Sequence, residues 1–143
     1  LFGHRFMRPV YGCPDYIVRE IWRMENGWWD RNPTTLHPAP AYQVASEVLA
    51  LLESPQRVLE RARQLAMEGQ MQMALHVIDL LALAPGDSDL LKRSRALKSE
   101  LLQARATQVT SAVSRHLMQS EAETLQGAEI GSTDTTAGTF SWT

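Results

Sequence analysis

The chain has 143 residues, of which 44% are hydrophobic and 21% are charged, and its formal net charge is −2. This length suits one compact domain with short additional segments, and a charge so near zero gives no basic field that would attract nucleic acid. Apolar runs such as residues 80–84 are far shorter than the ~18 residues that cross a membrane. We therefore expect a soluble protein with no nucleic-acid partner and no membrane span.

Cysteine and histidine limit the metal chemistry of the chain. Cys13 is the single cysteine, so the chain can form neither an intrachain disulfide nor a multi-thiolate metal site, and this pattern favours a reducing compartment without identifying it. The four histidines lie far apart in the sequence, and no local pair has metal-ligand spacing, so we predict no metal site in this segment. The chain begins at Leu1, which we interpret as a cut end of a longer protein.

The first predicted helix spans residues 14–26. Pro14 suits a first helical position, Asp15 lies near the positive end of the helix dipole, and Gly27 is placed to end the helix. Four large apolar residues follow one another at helical spacing and are predicted to form one buried face: Ile17, Ile21, Met24 and Trp28.

The tryptophan turn, residues 26–33, follows this helix and reads Asn-Gly-Trp-Trp-Asp-Arg-Asn-Pro. Two adjacent indoles cannot share one helix face, and their area is too large to leave in water, so they either seal two bodies together or line a pocket. We favour a plug that joins two domains. In the alternative, the turn is the rim of an apolar substrate groove, and its candidate pocket residues are Tyr16, Trp28, Trp29, Asp30 and Asn32.

Residues 41–126 predict a helical domain. One amphipathic helix starts at Ala41, Ser54 and Pro55 restart the chain as a cap and a first-turn proline, and Gly69 ends the second helix. The third helix, to residue 84, is apolar on two sides, so we expect it to lie between other helices. After the break at residues 85–87, a last helix carries its apolar stripe from Leu90 towards Met118.

The second and third helices resemble a single tetratricopeptide-type hairpin, because small residues such as Ala62 and Ala74 allow two helices to approach closely. Such repeats need about three copies to bury a continuous core, and no second copy occurs here. The hairpin motivates a peptide-binding adaptor as an alternative function, and the missing second repeat counts against it. The predicted fold is all-α, a helical bundle with one tetratricopeptide-like hairpin, preceded by an irregular segment with one helix.

The apolar sides of the first and third helices of this domain are candidates for a dimer or domain interface. We expect these surfaces to need a second body, because their apolar area is too costly to leave in water. The candidate interface residues are Val44, Val48, Leu52, Met73, Val77 and Leu80.

Several motifs resemble one known family, the alkyl sulfatases. Residues 11–16, the helix after them, the tryptophan turn and Leu36-His37-Pro38 are similar to the end of its metallo-beta-lactamase-like catalytic domain. The later helices, through Glu68-Gly69, Ala74-Leu75 and the break at residues 84–87, resemble its dimerisation domain. Where family members commonly have Asp-Gly-Asn in the turn, this chain has Arg31 in place of the glycine.

The resemblance implies a division of the chain into three parts. Residues 1–40 are the end of a catalytic domain and a linker, residues 41–126 are a helical dimerisation domain, and residues 127–143 are a flexible tail. It also implies a zinc-dependent parent enzyme that cleaves sulfate from long-chain alkyl esters, with a homodimer partner and an upstream catalytic domain. The family's metals sit on an upstream histidine and aspartate cluster, so the segment itself is expected to hold no cofactor and to be inactive alone.

Overall fold

The computed structural model describes residues 10–130 and is built from α-helices. The elements are α1 (Pro14–Asn26), a short 3-10 turn (Pro33–Leu36), α2 (Ala41–Leu51), α3 (Gln56–Met67), α4 (Met71–Ala82), α5 (Asp89–Gln108) and α6 (Ala112–Ile130). The described residues contain no strand, which confirms the predicted all-α bundle. None of these helices is long and apolar enough to cross a membrane.

α3 and α4 form the predicted helical hairpin. Gly69 has φ +79° and ends α3 in a left-handed conformation, with its amide bonded to the Ala66 carbonyl at 3.0 Å and the Gln70 amide bonded to the Leu65 carbonyl at 2.8 Å. The hairpin buries small and large apolar residues completely, which lets the two helices pack closely: Leu59, Ala62, Ala74 and Ile78.

α5 packs over this hairpin. Ser88 caps it, since its hydroxyl accepts a hydrogen bond from the Leu91 amide at 3.4 Å. Leu91, Leu97 and Leu101 join the hairpin residues in one continuous core. The chain's own α5 therefore covers this face of the hairpin, which argues against the peptide-binding adaptor.

The connection from α4 to α5 is held by one arginine. The Arg95 guanidinium donates to the carbonyl of Ala84 at 2.6 Å, of Gly86 at 2.7 Å and of Ala82 at 3.4 Å. These carbonyls belong to the last residue of α4 and to the connection after it, and they have no helical partner, so a cation that binds them also complements the negative end of the helix dipole.

The prediction of one last helix reaching towards Met118 is wrong. α5 ends at Gln108, and α6 begins at Ala112 and folds back along α5. β-Branched Val109 and Thr110 weaken the helix at this point, and the Ser111 hydroxyl accepts a hydrogen bond from the Ser114 amide at 3.3 Å, which starts the new helix.

The return of α6 is fixed by a buried hydrogen bond from the Ser99 hydroxyl to the Ala122 carbonyl at 2.9 Å. α6 continues to Ile130, so the boundary placed at residues 126–127 falls inside a helix. The rest of the predicted tail, with its aromatic residues Phe140 and Trp142, lies outside the described residues.

Candidate functional site

The tryptophan turn folds onto its own main chain. The Trp29 indole N–H donates to the Asn32 carbonyl at 3.0 Å. The Asp30 carboxylate accepts the Asn32 amide at 2.9 Å and the Thr35 hydroxyl at 2.5 Å, and the Asn32 side chain accepts the Thr34 amide at 3.2 Å. Asp30 and Asn32 thus bind back onto the main chain of the turn, as these residue types commonly do.

These hydrogen bonds act on the acidity of Asp30. Donation from the Thr35 hydroxyl, and then from the Asn32 amide, stabilises the charged carboxylate and holds the pKa of Asp30 below its usual range. The ionised carboxylate is thus part of the structure of the turn.

Arg31 adopts a left-handed backbone with φ +73°, the only non-glycine residue among residues 10–130 to have a positive φ. This conformation costs an L-residue roughly 1–2 kcal/mol. Its guanidinium lies 5.8 Å from the centroid of the Trp29 ring, which offsets part of that cost. The turn therefore keeps the geometry that favours glycine although the residue is arginine.

The predicted buried face of α1 is wrong for this chain. α1 has no buried residue, and Ile17, Ile21, Met24 and Trp28 are 57%, 55%, 75% and 64% exposed. We call these four residues the α1 face. Ile17, Ile21 and Met24 lie within α1 at helical spacing, whereas Trp28 follows the end of the helix at Asn26, and none of the four is buried by the described residues.

α1 is attached to the rest of the chain at the turn between α5 and α6. The Ser114 hydroxyl donates to the Tyr16 hydroxyl at 2.9 Å, and the Ala112 amide donates to the Val10 carbonyl at 2.6 Å. Tyr16 therefore binds α6, whereas the other pocket candidates lie within or beside the tryptophan turn. Trp29, Asp30 and Asn32 each make a side-chain hydrogen bond inside the turn. Trp28 is the most exposed apolar side chain of the turn.

The expectation that α4 lies between helices on both sides is half right. One side, Ala74, Leu75, Ile78 and Leu81, is buried, whereas Met73 and Leu80 on the other side are 51% and 41% exposed. We call the six candidate interface residues the α2–α4 face: Val44, Val48, Leu52, Met73, Val77 and Leu80.

The structure brings most of the α2–α4 face together in two neighbouring concavities. Val44, Val48 and Leu80 line an apolar groove of about 290 Å³ between α2 and α4, which we call the α2–α4 groove. Leu52 and Val77 line a larger and more polar depression of about 680 Å³ beside α3. Met73 lies at the other end of α4, in a smaller depression that also includes Arg105.

A charged cluster behind the groove was not found from the sequence. Lys98 is 8% exposed, and its ammonium lies 2.9 Å from the Asp79 carboxylate and 3.6 Å from the Glu121 carboxylate. It joins α4, α5 and α6. The available signal was a lysine at an inward position of α5, four residues after Ser94 and three before Leu101.

The described residues do not fit a metal site. They contain no group of three or more His, Cys, Asp or Glu side chains that could hold an ion. His76 and Asp79 lie three residues apart on α4, but Asp79 pairs with Lys98 and the His76 ring faces the Gln72 side chain at 3.3 Å. Zinc, which the resemblance implies for the parent enzyme, finds no donor set here.

Comparison with known proteins points to one group. The family described as alkyl sulfatase dimerisation matches residues 1–128. The chain is 30% identical over 69 residues to the linear primary-alkylsulfatase of Pseudomonas sp. (strain ATCC 19151). It is 27% identical over 77 residues to an alkyl/aryl-sulfatase of Saccharomyces cerevisiae. These matches cover 48% and 54% of this chain but only 13% and 12% of those two proteins.

The fold also has a counterpart among solved structures. A double mutant of the sec-alkyl sulfatase PisA1 matches with a TM-score of 0.72 and 23% identity, over 83% of this chain and 18% of that one. At this identity the likeness establishes a shared helical fold. The chain therefore corresponds to a small part of the length of each of these proteins.

Proposed function

The chain belongs to the alkyl sulfatase dimerisation family, and from that premise we propose that it is the helical dimerisation region of a longer sulfate ester hydrolase. The family assignment confirms the resemblance inferred from the motifs. In this proposal the α2–α4 face pairs with a second copy, while the α1 face and the tryptophan turn pack against an upstream catalytic domain.

The observation that carries the proposal is the exposed apolar side of α4 and its neighbours. Tyr42, Leu51 and Leu83 extend the α2–α4 face and are 53%, 82% and 37% exposed. Full burial of a large apolar side chain contributes ~1.5–3 kcal/mol, and a partly exposed side chain can still gain the fraction of this that matches its exposed fraction. Covering the whole surface then contributes roughly 8 kcal/mol per copy. A pair gains about 16 kcal/mol, against roughly 4–15 kcal/mol lost in association, so a concentration-dependent dimer is expected.

The α1 face supports the second contact of the proposal. α1 is amphipathic, it has no buried residue, and the hydrogen bonds at Tyr16 and Val10 hold its start against α6. A helix in this state is suited to dock its apolar side on a neighbouring domain. Hydrolysis itself, and the zinc implied for it, are proposed to belong to that domain, and no step of the reaction is assigned to the residues described here.

The dimer can be tested by sedimentation equilibrium of the full chain across the micromolar range. Leu80→Glu places a charge in the α2–α4 groove and is expected to give a monomer. Met67→Glu is the matched control, since Met67 is 82% exposed at the end of α3, and it should leave pairing unchanged. A monomeric wild-type chain, or a Leu80→Glu variant that pairs as wild type does, contradicts the proposal.

A second candidate function is that the turn supplies part of the substrate pocket in the parent enzyme. Exposed Trp28 favours it, because the indole is free to line an apolar wall while Trp29 is held by Asn32. In the longer protein, Trp28→Ala is expected to change the preference for alkyl chain length. Unchanged turnover and chain-length preference in a folded variant would remove the pocket role and leave the turn as a plug.

A further inference from the structure

We propose that Lys98 is a positioning residue for the dimer: it pairs with Asp79 in the wall of the α2–α4 groove and so keeps the groove neutral for a second copy of the chain. The inference rests on the dimer proposed above. It adds a named residue, remote from the contact surface, that controls how tightly the two copies pair.

The geometry of the groove wall motivates the inference. Asp79 lines the groove, and its other lining residues are apolar: Ala41, Val44, Ala45, Val48, Leu80 and Leu83. The Asp79 side chain is 36% exposed, whereas that of Lys98 is 11% exposed and reaches Asp79 from behind at 2.9 Å. The carboxylate therefore belongs both to the groove wall and to the buried cluster.

The occupant that this wall fits is an uncharged apolar surface. Because Lys98 already pairs with Asp79, the groove offers little attraction to a cationic partner, whereas an apolar partner can cover it without burying a lone charge. The α4 stripe of Met73, Val77 and Leu80 has this uncharged apolar character and runs beside the groove. A two-fold arrangement would place the stripe of one copy over the groove of the other.

Removing the ammonium should act on pairing through Asp79. In Lys98→Met, the carboxylate of each copy would lose the 2.9 Å contact, and the approaching copy would have to bury it unpaired. The symmetry doubles the effect, since two such carboxylates are covered in one dimer. We expect the dissociation constant of the dimer to rise at least tenfold.

The test compares Lys98→Met with a control and a rescue in the full chain, by sedimentation equilibrium and with circular dichroism to verify folding. Glu121→Gln is the control, because it removes the other carboxylate near Lys98, 3.6 Å away and 49% exposed on α6, and it should leave pairing unchanged. Asp79→Asn combined with Lys98→Met removes both charges and should restore pairing to near the wild-type level.

The outcomes separate this inference from the dimer itself. If Leu80→Glu disrupts the wild-type dimer but Lys98→Met does not weaken it, the role of Lys98 is overturned and the dimer itself is still supported. If Lys98→Met fails to fold, Asp79→Asn alone decides, because it leaves Lys98 beside Glu121 and the groove wall uncharged. It should then pair at least as tightly as wild type, and weaker pairing would overturn the inference.

Discussion

Arg95 offers the sharpest test of how the helical domain is held together. Its guanidinium donates to three carbonyls at and just after the end of α4, and one of these belongs to Ala84, which is only 1% exposed. The bond to Ala84 is short and part-buried, so we assign it the ~1.5–3 kcal/mol of a charged hydrogen bond. The Ala82 contact at 3.4 Å is weak and the Gly86 contact is exposed, so they contribute less.

We therefore expect Arg95→Ala to lower the free energy of unfolding by roughly 2–3 kcal/mol, since the carbonyls lose a partner that water replaces only in part. For a domain of this size, the change corresponds to a fall of about 6–12 °C in the melting temperature. Urea denaturation followed by circular dichroism at 222 nm measures the change in the free energy of unfolding. The stability of Arg95→Lys should fall between that of wild type and that of Arg95→Ala, because lysine keeps the charge but not the planar guanidinium.

Arg93 provides the matched control for this experiment. It lies two residues earlier on α5, and its pair with Asp89 spans 3.6 Å with side chains that are 47% and 85% exposed. Such exposed pairs contribute less than about 0.5 kcal/mol, so Arg93→Ala should be nearly neutral. If Arg95→Ala and Arg93→Ala destabilise the chain equally, the hydrogen bonds from Arg95 to the three carbonyls do not stabilise the domain.

Three further outcomes are expected. Arg31→Gly should stabilise the tryptophan turn relative to Arg31→Ala by about 1 kcal/mol, because both lose the contact with Trp29 and only glycine relieves the left-handed backbone; equal hydrogen-exchange protection of the Trp29 indole in the two variants would contradict this. Because the pKa of Asp30 is lowered in the folded chain, its contribution to the stability of the turn is complete above the unfolded pKa of about 3.9 and is lost as pH falls through the lower folded pKa. Acid should therefore break the hydrogen bond of the Trp29 indole N–H in wild type, and Asp30→Asn should abolish that transition. Gly69→Ala should destabilise the α3–α4 hairpin by roughly 1 kcal/mol in chemical denaturation, since φ there is +79° and a Cβ meets open space, so conformation rather than a clash sets the cost.

Local signals explain which helix ends could be read from the sequence. The span of α1 follows from Pro14 and Gly27, and the end of α3 follows from Gly69, because proline and glycine restrict or free the backbone where they stand. The break between α5 and α6 carries neither residue. It depends on Ser111 as a cap and on α6 packing back against α5, and packing of this kind cannot be read from helical spacing.

Surfaces were harder to assign than helices for a physical reason. Helical periodicity shows that Ile17, Ile21 and Met24 share a side, but it does not show whether the covering body belongs to the same chain. The same limit applies to α4, where one apolar side is buried and the side with Met73 and Leu80 is exposed. Lys98 is the converse case, since a lysine reads as solvent-exposed until its two carboxylate partners on α4 and α6 are placed beside it.

The proposed docking of the tryptophan turn on an upstream domain is favoured by the order that the turn already has. Asp30 and Asn32 each bind the main chain of the turn through one side-chain oxygen, and the Trp29 indole N–H is bound to the Asn32 carbonyl, so docking would not leave these hydrogen-bonding atoms without a partner. Trp28 and the α1 face remain, and burying them requires little reordering of the main chain. A preformed apolar plug of this kind loses less conformational entropy on docking than a flexible segment would. This favours the plug over the pocket rim as the role proposed for the turn. The strained backbone of Arg31 is compatible with that role, because the strain is already present in the undocked chain and would add no further cost on docking.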